Sequence, residues 1–344
     1  MWRTSTRWTG LLLIVIVSVI GAGAGARAAD KVVLKLGTLA PDGSSWHQSL
    51  KEMAAEWKKA SNGTVELKIY AGGVAGNEGD MARKLRIGQL HAAAISVVGL
   101  GDIHTAPQAI ASPGLIADEA EWEHVFWRAT ALWEPQFLAK GYLVLMWGDT
   151  GFVHMFLKRS VQRPSEMAGM KVFAWAGDPS STEAFKLAGF QPVVMSSTDI
   201  LPALSTGMIE SFAATPVMAL GARWYEQTPY MTTAAWGHLP AATVVSLKAW
   251  ERIPEPTRQR LLEIARAYAA KAYAASKKGQ ADAIAAMQKN GLKLIEYDAA
   301  GMAEWQQISE RTWSIIRGGV VRPEDFDAVK RIRDEYRARP PAAP

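Results

Sequence analysis

Six histidines, at positions 47, 91, 104, 124, 154 and 238, are the side chains best suited to ligate a metal or move a proton near neutral pH. None shares the spacing that sets two ligands on one helix face or one loop, so each reads as a surface or core residue rather than a metal ligand. The chain holds no G-x-S-x-G elbow, no H-E-x-x-H and no G-x-x-x-x-G-K-[ST], the patterns that mark an activated serine, a hydrolytic zinc and a phosphate cradle. It also holds no cysteine, which excludes thiol catalysis, thiolate metal sites and disulfides. A Gly-rich stretch, Ala71 to Gly79, lacks the lysine of a phosphate loop; it reads as a surface loop in which Asn77 or Glu78 is a candidate to face a ligand.

The elements that must position any site alternate between strand and helix, the pattern of a parallel α/β sheet. Val32 to Leu36 predicts a buried strand, and Trp46, Leu50, Met53, Trp57 and Ala60 recur on one face of a 3.6-residue period. Thr64 to Tyr70 and Ala92 to Val98 predict further strands, with a helix ending near Gly88 between them. The stripe Trp122, Val125, Phe126, Ala129, Leu132 and Trp133 marks a helix closed before Gly141. Tyr142 to Trp147 and Phe152 to Leu157 read as two strands separated by a Gly148-Asp149-Thr150-Gly151 turn. A second α/β unit follows, with strands to Trp175, near Pro192 to Met195 and at Ile209 to Ala213, and helices at Ser180 to Leu187 and Asp199 to Leu204. A late strand at Ala242 to Leu247, a long helix from Glu255 to Asn290 and a last helix from Arg322 to Arg339 complete the reading.

A length of 344 residues suits two domains, and 49% hydrophobic with 21% charged residues suits a packed globular core. The net charge of +5 hints at anionic partners, but residues 1 to 28 have the make-up of a secretory signal: Arg3 and Arg7, an apolar run from Leu11 to Ile20, then Ala26-Arg27-Ala28. Its removal takes three arginines and no acid, so +5 becomes +2. The apolar run is shorter than the roughly 18 to 20 residues of a membrane span. The expectation is an exported, periplasmic protein with no stable membrane anchor and no affinity for nucleic acid, ending in a disordered tail at 339–344.

The order of segments resembles the DctP family of solute-binding proteins that serve tripartite ATP-independent periplasmic (TRAP) transporters. The resemblance rests on Lys35-Leu36-Gly37-Thr38-Leu39-Ala40-Pro41, Ala71-Gly72-Gly73, Leu85-Arg86-Ile87-Gly88-Gln89-Leu90 and Arg163-Pro164-Ser165-Glu166-Met167-Ala168-Gly169-Met170-Lys171-Val172. It continues through Phe185-Lys186-Leu187-Ala188-Gly189-Phe190-Gln191-Pro192 and the run from Asp199 to Glu210. It implies an α/β, two-domain periplasmic-binding-protein fold, with hinge strands near Gly148 to Val153 and Trp236 to Ala242 and a long helix spanning both domains. On that basis domain I takes residues 29–150 and 241–272, and domain II takes 151–240 and 273–338. The implied partners are a small-molecule ligand and TRAP membrane subunits, bound by a monomer with no cofactor, no metal and no chemistry of its own.

Two departures bear on the ligand. Phe173 and Val153 stand where the resemblance places arginines that clamp a carboxylate, and Ala213-Ala214-Thr215 stands where it places an asparagine. An unpaired carboxylate in a closed cleft costs several kcal/mol, so the expected ligand is neutral or aromatic. Phe173, Trp175 and Phe212, with Val153, Trp147 and Trp236 near the crossings, are the expected walls, and Asp178, Thr215, Glu210 and Asn77 the expected polar contacts. The alternatives are a carboxylate or sugar acid held by Arg223 or by a metal bridging Asp178 and Glu210, an exported enzyme on the same scaffold, and a ligand-sensing module.

Overall fold

The computed structural model describes residues 31–176 and 178–339; the expected signal peptide and the tail from residue 340 lie outside them. Chain order runs β1 (Val32–Thr38), α1 (Ser45–Ala60), β2 (Val65–Tyr70), α2 (Glu78–Arg86), β3 (Ala92–Ser96), α3 (Val97–Gly101), α4 (Glu119–Ala139) and β4 (Tyr142–Leu157). It continues with β5 (Lys171–Trp175), α5 (Pro179–Leu187), β6 (Gln191–Met195), α6 (Ile200–Thr206), β7 (Ser211–Ala214), α7 (Pro216–Gly221) and β8 (Tyr230–Ser246). The last elements are α8 (Leu247–Trp250), α9 (Glu255–Lys289), β9 (Lys293–Ile295), α10 (Ala299–Ile315) and α11 (Pro323–Arg337). No helix among the described residues is long and apolar enough to cross a membrane.

The strands form one mixed sheet in the order β2-β1-β3-β8-β4-β7-β5-β6, with β9 beside β8. Its width varies along β4 and β8. The last part of β8, Ala241 to Val245, pairs with β3, and its first part, Tyr230 to Thr232, pairs with β9. Only the end of β4, His154 to Leu157, pairs with β7. Among the described residues, β4 and β8 have only each other between these stretches, so two wide wings are joined by a neck two strands across.

The neck corrects the sequence reading in two places. Gly148-Asp149-Thr150-Gly151 does not break the chain: β4 runs through it as one strand, absorbing Thr150 and Gly151 as a bulge at the register shift between Asp149 and Phe152. Gly151, at φ 97°, takes the left-handed conformation such a bulge needs. β8 likewise begins at Tyr230 rather than near Ala242. Pro240, which has no N–H for a ladder, sits opposite Asp149 at the edge of that bulge, one of the few places a sheet interior accepts proline.

Helices cover both faces of each wing. Leu50, Met53 and Trp57 of the predicted α1 stripe are buried, and the Trp57 indole donates to the Leu261 carbonyl of α9 at 2.9 Å. Residues Leu261 to Ala272 of α9 join that first-wing core, and Met287 joins the core of the second, so the 35-residue helix straps one wing to the other. α10 packs on α5 in the second wing. α11 departs from its expected place with residues 151–240: its stripe Phe326, Val329 and Ile332 packs with Trp122, Val125 and Phe126 in the first-wing core, and Arg337 pairs with the buried Glu121 of α4 at 2.9 Å.

Trp46, at the head of α1, presses its ring on the neck. A β-carbon at Gly148 would stand 2.2 Å from that ring, so Gly148→Ala forces the indole out of place. The expected cost is about 1–3 kcal/mol, read as a lower Tm in calorimetry; the same change in a Trp46→Ala background leaves Tm nearly unmoved if this contact is its cause.

Candidate functional site

In a parallel α/β sheet, loops and side chains at the carboxyl ends of the strands enclose a crevice, and here both wings contribute those ends to one cavity of about 140 Å³. The first wing supplies Val97 and Val98, directly after β3, and the segment Gln108 to Pro113. From the second wing come Phe173 and Trp175 at the end of β5, Ala213 and Ala214 at the end of β7, and Asp178, Ser180 and Ser181 at the start of α5. The neck forms the floor with Val153 of β4 and Trp236 to Leu239 of β8.

Five of the sequence candidates therefore meet. Phe173 and Trp175 pack edge to face at 5.4 Å, Trp236 stacks on Phe185 at 5.0 Å, and Val153 pairs with Gly237 beside them. Phe173 is also core: it is 2% exposed and packs with Ile200 and Leu204 of α6. Asp178 caps α5, its Oδ1 accepting from the Ser181 N–H at 3.0 Å and the Ser180 hydroxyl at 2.6 Å. Capping and lining are compatible, because Oδ1 alone carries both bonds.

The other five do not line the cavity, each for a physical reason. Phe212 is buried under β7, stacked on Phe156 at 4.8 Å, because these two residues pair across β4 and β7. Trp147 lies among Phe126, Trp133 and Phe137 and donates its indole N–H to Glu134 at 3.0 Å. Thr215 is one residue past the lining alanines, buried, with its hydroxyl unpartnered. Glu210 precedes β7 at the amino end of the sheet, where its carboxylate accepts from the Lys171 N–H; the cavity is at the other end. Asn77 is the N-cap of α2 in a reciprocal capping box with Asp80.

Glu78, beside Asn77, is half-buried and accepts from the Ser96 N–H (2.8 Å), the Ser96 hydroxyl (2.6 Å) and the Gly99 N–H (3.0 Å). Burial pushes its carboxyl above the ordinary range. Its role is to hold the β3–α3 turn that presents Val97 and Val98. Arg223 is exposed and paired with Glu226, outside the lining, and Asp178 and Glu210 stand at opposite ends of the strands, too far apart in the fold to share an ion. Among the described residues no cluster of three metal-ligating side chains occurs.

Electrostatically the cavity is unusual in what lines it: among the described residues, one carboxylate, Asp178, one histidine, His238, and neither lysine nor arginine. Sequence reasoning left His238 among the scattered histidines and did not single out Gln108. His238 is 2% exposed, stacked on Trp122 at 3.4 Å and edge-on to Phe152 at 4.5 Å. Burial holds its pKa well below the ordinary imidazole value, so the ring is neutral. Its Nδ1 lies 3.2 Å from Asp149 Oδ1 but out of line for a hydrogen bond.

Asp149 accepts from the Gly151 N–H at 2.6 Å, and its backbone carbonyl accepts from Ser276 of α9 at 2.7 Å. Gln280 of α9 donates to the Thr150 carbonyl, and the Thr150 hydroxyl donates to the Leu239 carbonyl at 2.6 Å. α9 thus holds the bulge from one side while β8 holds it from the other. Burial pushes the Asp149 carboxyl up to about 7, with nearby Glu119 adding to the rise and Lys277 opposing it. His154, whose Nδ1–H donates to the Thr232 carbonyl, is lowered by burial to about 4.

These shifts act on stability in opposite senses. Between about pH 4 and 7 the folded protein keeps a proton on Asp149 that the unfolded chain has lost, so this contribution weakens as pH rises. Below about pH 6.5 the unfolded chain protonates two histidines that the fold keeps neutral, so that contribution weakens as pH falls. Asp149→Asn removes the first and leaves the second unopposed. Its Tm should fall more steeply than the parent's from pH 7 to 5 in calorimetry; an equal fall means that Asp149 is ionised in the native state across that range.

A sequence profile of bacterial extracellular solute-binding protein family 7, DctP, matches residues 36–317. The C4-dicarboxylate-binding periplasmic protein DctP of Rhodobacter capsulatus is 23% identical over 285 residues, 81% of this chain and 85% of that protein. A TRAP periplasmic solute-binding protein from Ralstonia eutropha H16, solved with (S)-2-acetolactate, superposes with a TM-score of 0.81 at 20% identity, covering 88% of this chain and 99% of its own. One from Desulfovibrio desulfuricans, solved with sn-glycerol-3-phosphate, gives 0.82 at 19% identity, covering 90% and 99%. The sugar-acid-binding DctPAm of Advenella mimigardefordensis, solved with galactonate, gives 0.80 at 17% identity, covering 89% and 99%.

Proposed function

The chain belongs to the DctP family of bacterial extracellular solute-binding proteins, and from that premise we propose that it captures a neutral or aromatic small molecule between its two wings and delivers it to TRAP membrane subunits. The observation that carries the ligand class is the cavity lining, which among the described residues includes one carboxylate and no cation. Acetolactate, galactonate and glycerol-3-phosphate, the ligands of the structural neighbours, are all anions. An anion here would lose its water with Asp178 as its charged neighbour and nothing to pair with, at a cost of several kcal/mol. Phe173, Trp175, Trp224 and Trp236 offer instead ring faces and edges to an uncharged body.

Export to the periplasm fits the sequence of residues 1–28 and the location of the Rhodobacter relative. Capture then works by closure about the neck: domain I is residues 29–150 and 241–272 together with α11, and domain II is 151–240 with 273 to the end of α10. The neck has few ladder bonds to bend, and α9, anchored in both wings, limits how far they part. No catalytic step is required of any residue in the cavity.

The test is the native ligand. Protein purified from its periplasm without additions and examined by native mass spectrometry should carry an uncharged or aromatic compound. A dicarboxylate or sugar acid that rebinds after unfolding and refolding overturns the reading. Trp175→Ala, at a half-buried position on the cavity wall, should weaken the co-purified ligand by about tenfold or more with the ligand-free Tm little changed.

A further inference from the structure

One corner of the cavity wall gathers polar side chains that keep open surface. Asp178, Ser180 and Ser181, at the start of α5, all line the cavity and are each half-buried, whereas both ring nitrogens of His238 are sealed. Asp178 Oδ1 accepts from the Ser181 N–H at 3.0 Å and the Ser180 hydroxyl at 2.6 Å. Its Oδ2 takes no donor among the described residues and is not one of the sealed atoms, so it stays accessible. We propose that Asp178 and Ser180 bind a primary ammonium group on a ligand whose body is a single apolar ring. The inference rests on the reading of an aromatic ligand that is not an anion, and narrows it to a cation.

The chemistry selects the group. A carboxylate only accepts hydrogen bonds, so the Ser180 hydroxyl donates to Oδ1 and its oxygen has lone pairs left to accept. The corner therefore needs N–H or O–H donors. Asp178 is also the only charged side chain among the described lining residues, and closing the wings over an uncharged ligand strips its water without supplying a counter-charge. An ammonium group supplies donors and charge together, and apolar walls strengthen the pairing. The positive end of α5 offsets roughly half an elementary charge, which leaves the corner negative. A second helix start at the cavity, that of α3, is already occupied by an acid: the Glu78 carboxyl accepts from the Ser96 and Gly99 N–H groups at 2.8 and 3.0 Å.

Size and framework agree with this choice. A cavity of about 140 Å³ is close to the roughly 150 Å³ that accommodates benzene in an apolar protein interior. The acid is tied to the aromatic wall by backbone. The Asp178 N–H donates to the Trp175 carbonyl at 3.1 Å, and the Ala176 N–H between them donates to the Met195 carbonyl of β6 at 3.0 Å. Trp175 is half-buried and meets Phe173 edge to face at 5.4 Å. A short arm between ring and nitrogen therefore lets the charge reach Asp178 with the ring against Trp175.

Calorimetric titration of the purified protein, cleared of its ligand, with benzylamine, benzyl alcohol and benzoate at neutral pH tests the inference. Benzylamine, a cation there, should bind about tenfold or more tighter than benzyl alcohol, which has the same ring and arm without the charge. Asp178→Asn removes the charge and keeps a good helix cap; it should shrink that ratio to within about threefold, and its ligand-free Tm shows whether the fold is kept. If the variant does not fold, the wild-type ratio decides. Benzyl alcohol binding as tightly as benzylamine, an undiminished ratio in the folded variant, or no binding of any of the three at millimolar concentration overturns the ammonium assignment while leaving the reading of a neutral or aromatic ligand intact. Benzoate binding tightest of the three overturns both.

Discussion

The antiparallel pairing of β4 with β8 is the interaction on which the rest of the molecule depends. Among the described residues these are the only strands shared by both wings, and between their outer neighbours they are bonded only to one another. A two-strand ribbon has little stability of its own in water, so the neck needs other support. It comes from α9, whose Ser276 and Gln280 bond the bulge backbone, and from the aromatic packing of Trp122 and Phe152 around His238. The same supports bury Asp149 and His238 where neither is readily charged. Neither side chain therefore supplies a fixed ion pair across the neck.

The cavity follows from the neck. Because both wings are α/β sheets meeting at their shared strands, the carboxyl ends of β3, β5 and β7 converge over one floor. The lining is divided by wing: among the described residues the second wing contributes most of the aromatic wall and the one carboxylate, and the first contributes Val97, Val98 and Gln108. On the proposed closure, a ligand contacting both sides would gain contacts that the open arrangement lacks, and that difference would drive it.

Much of the fold is legible in the sequence, because its signals are local. The α1 stripe, the end of α9 at Asn290 and the alternation of strand with helix are each written within a few residues. What the sequence hides depends on partners far along the chain. Gly148-Asp149-Thr150-Gly151 has turn composition, and only a second strand opposite it makes it a bulge. α11 announces a helix through Phe326, Val329 and Ile332 but not the α4 surface that buries them. In the site, the family pattern led to Phe173, Val153 and their aromatic neighbours, whereas Glu210 and Asn77 drew attention by residue type and proved to serve a strand start and a helix cap. Gln108 and His238 are 130 positions apart, and no spacing rule joins them.

Phe173 ties the proposed ligand class to the fold itself. The side chain lines the cavity and also packs with Ile200, Leu204 and Trp175. An arginine there would need its guanidinium in the cavity and its stem in a space shaped for a ring, and with no ligand carboxylate present it would be a buried charge without a partner. The aromatic residue removes that penalty and fills the core in the same step. An arginine at this position would therefore require repacking β5 against α6 as well as replacing one side chain.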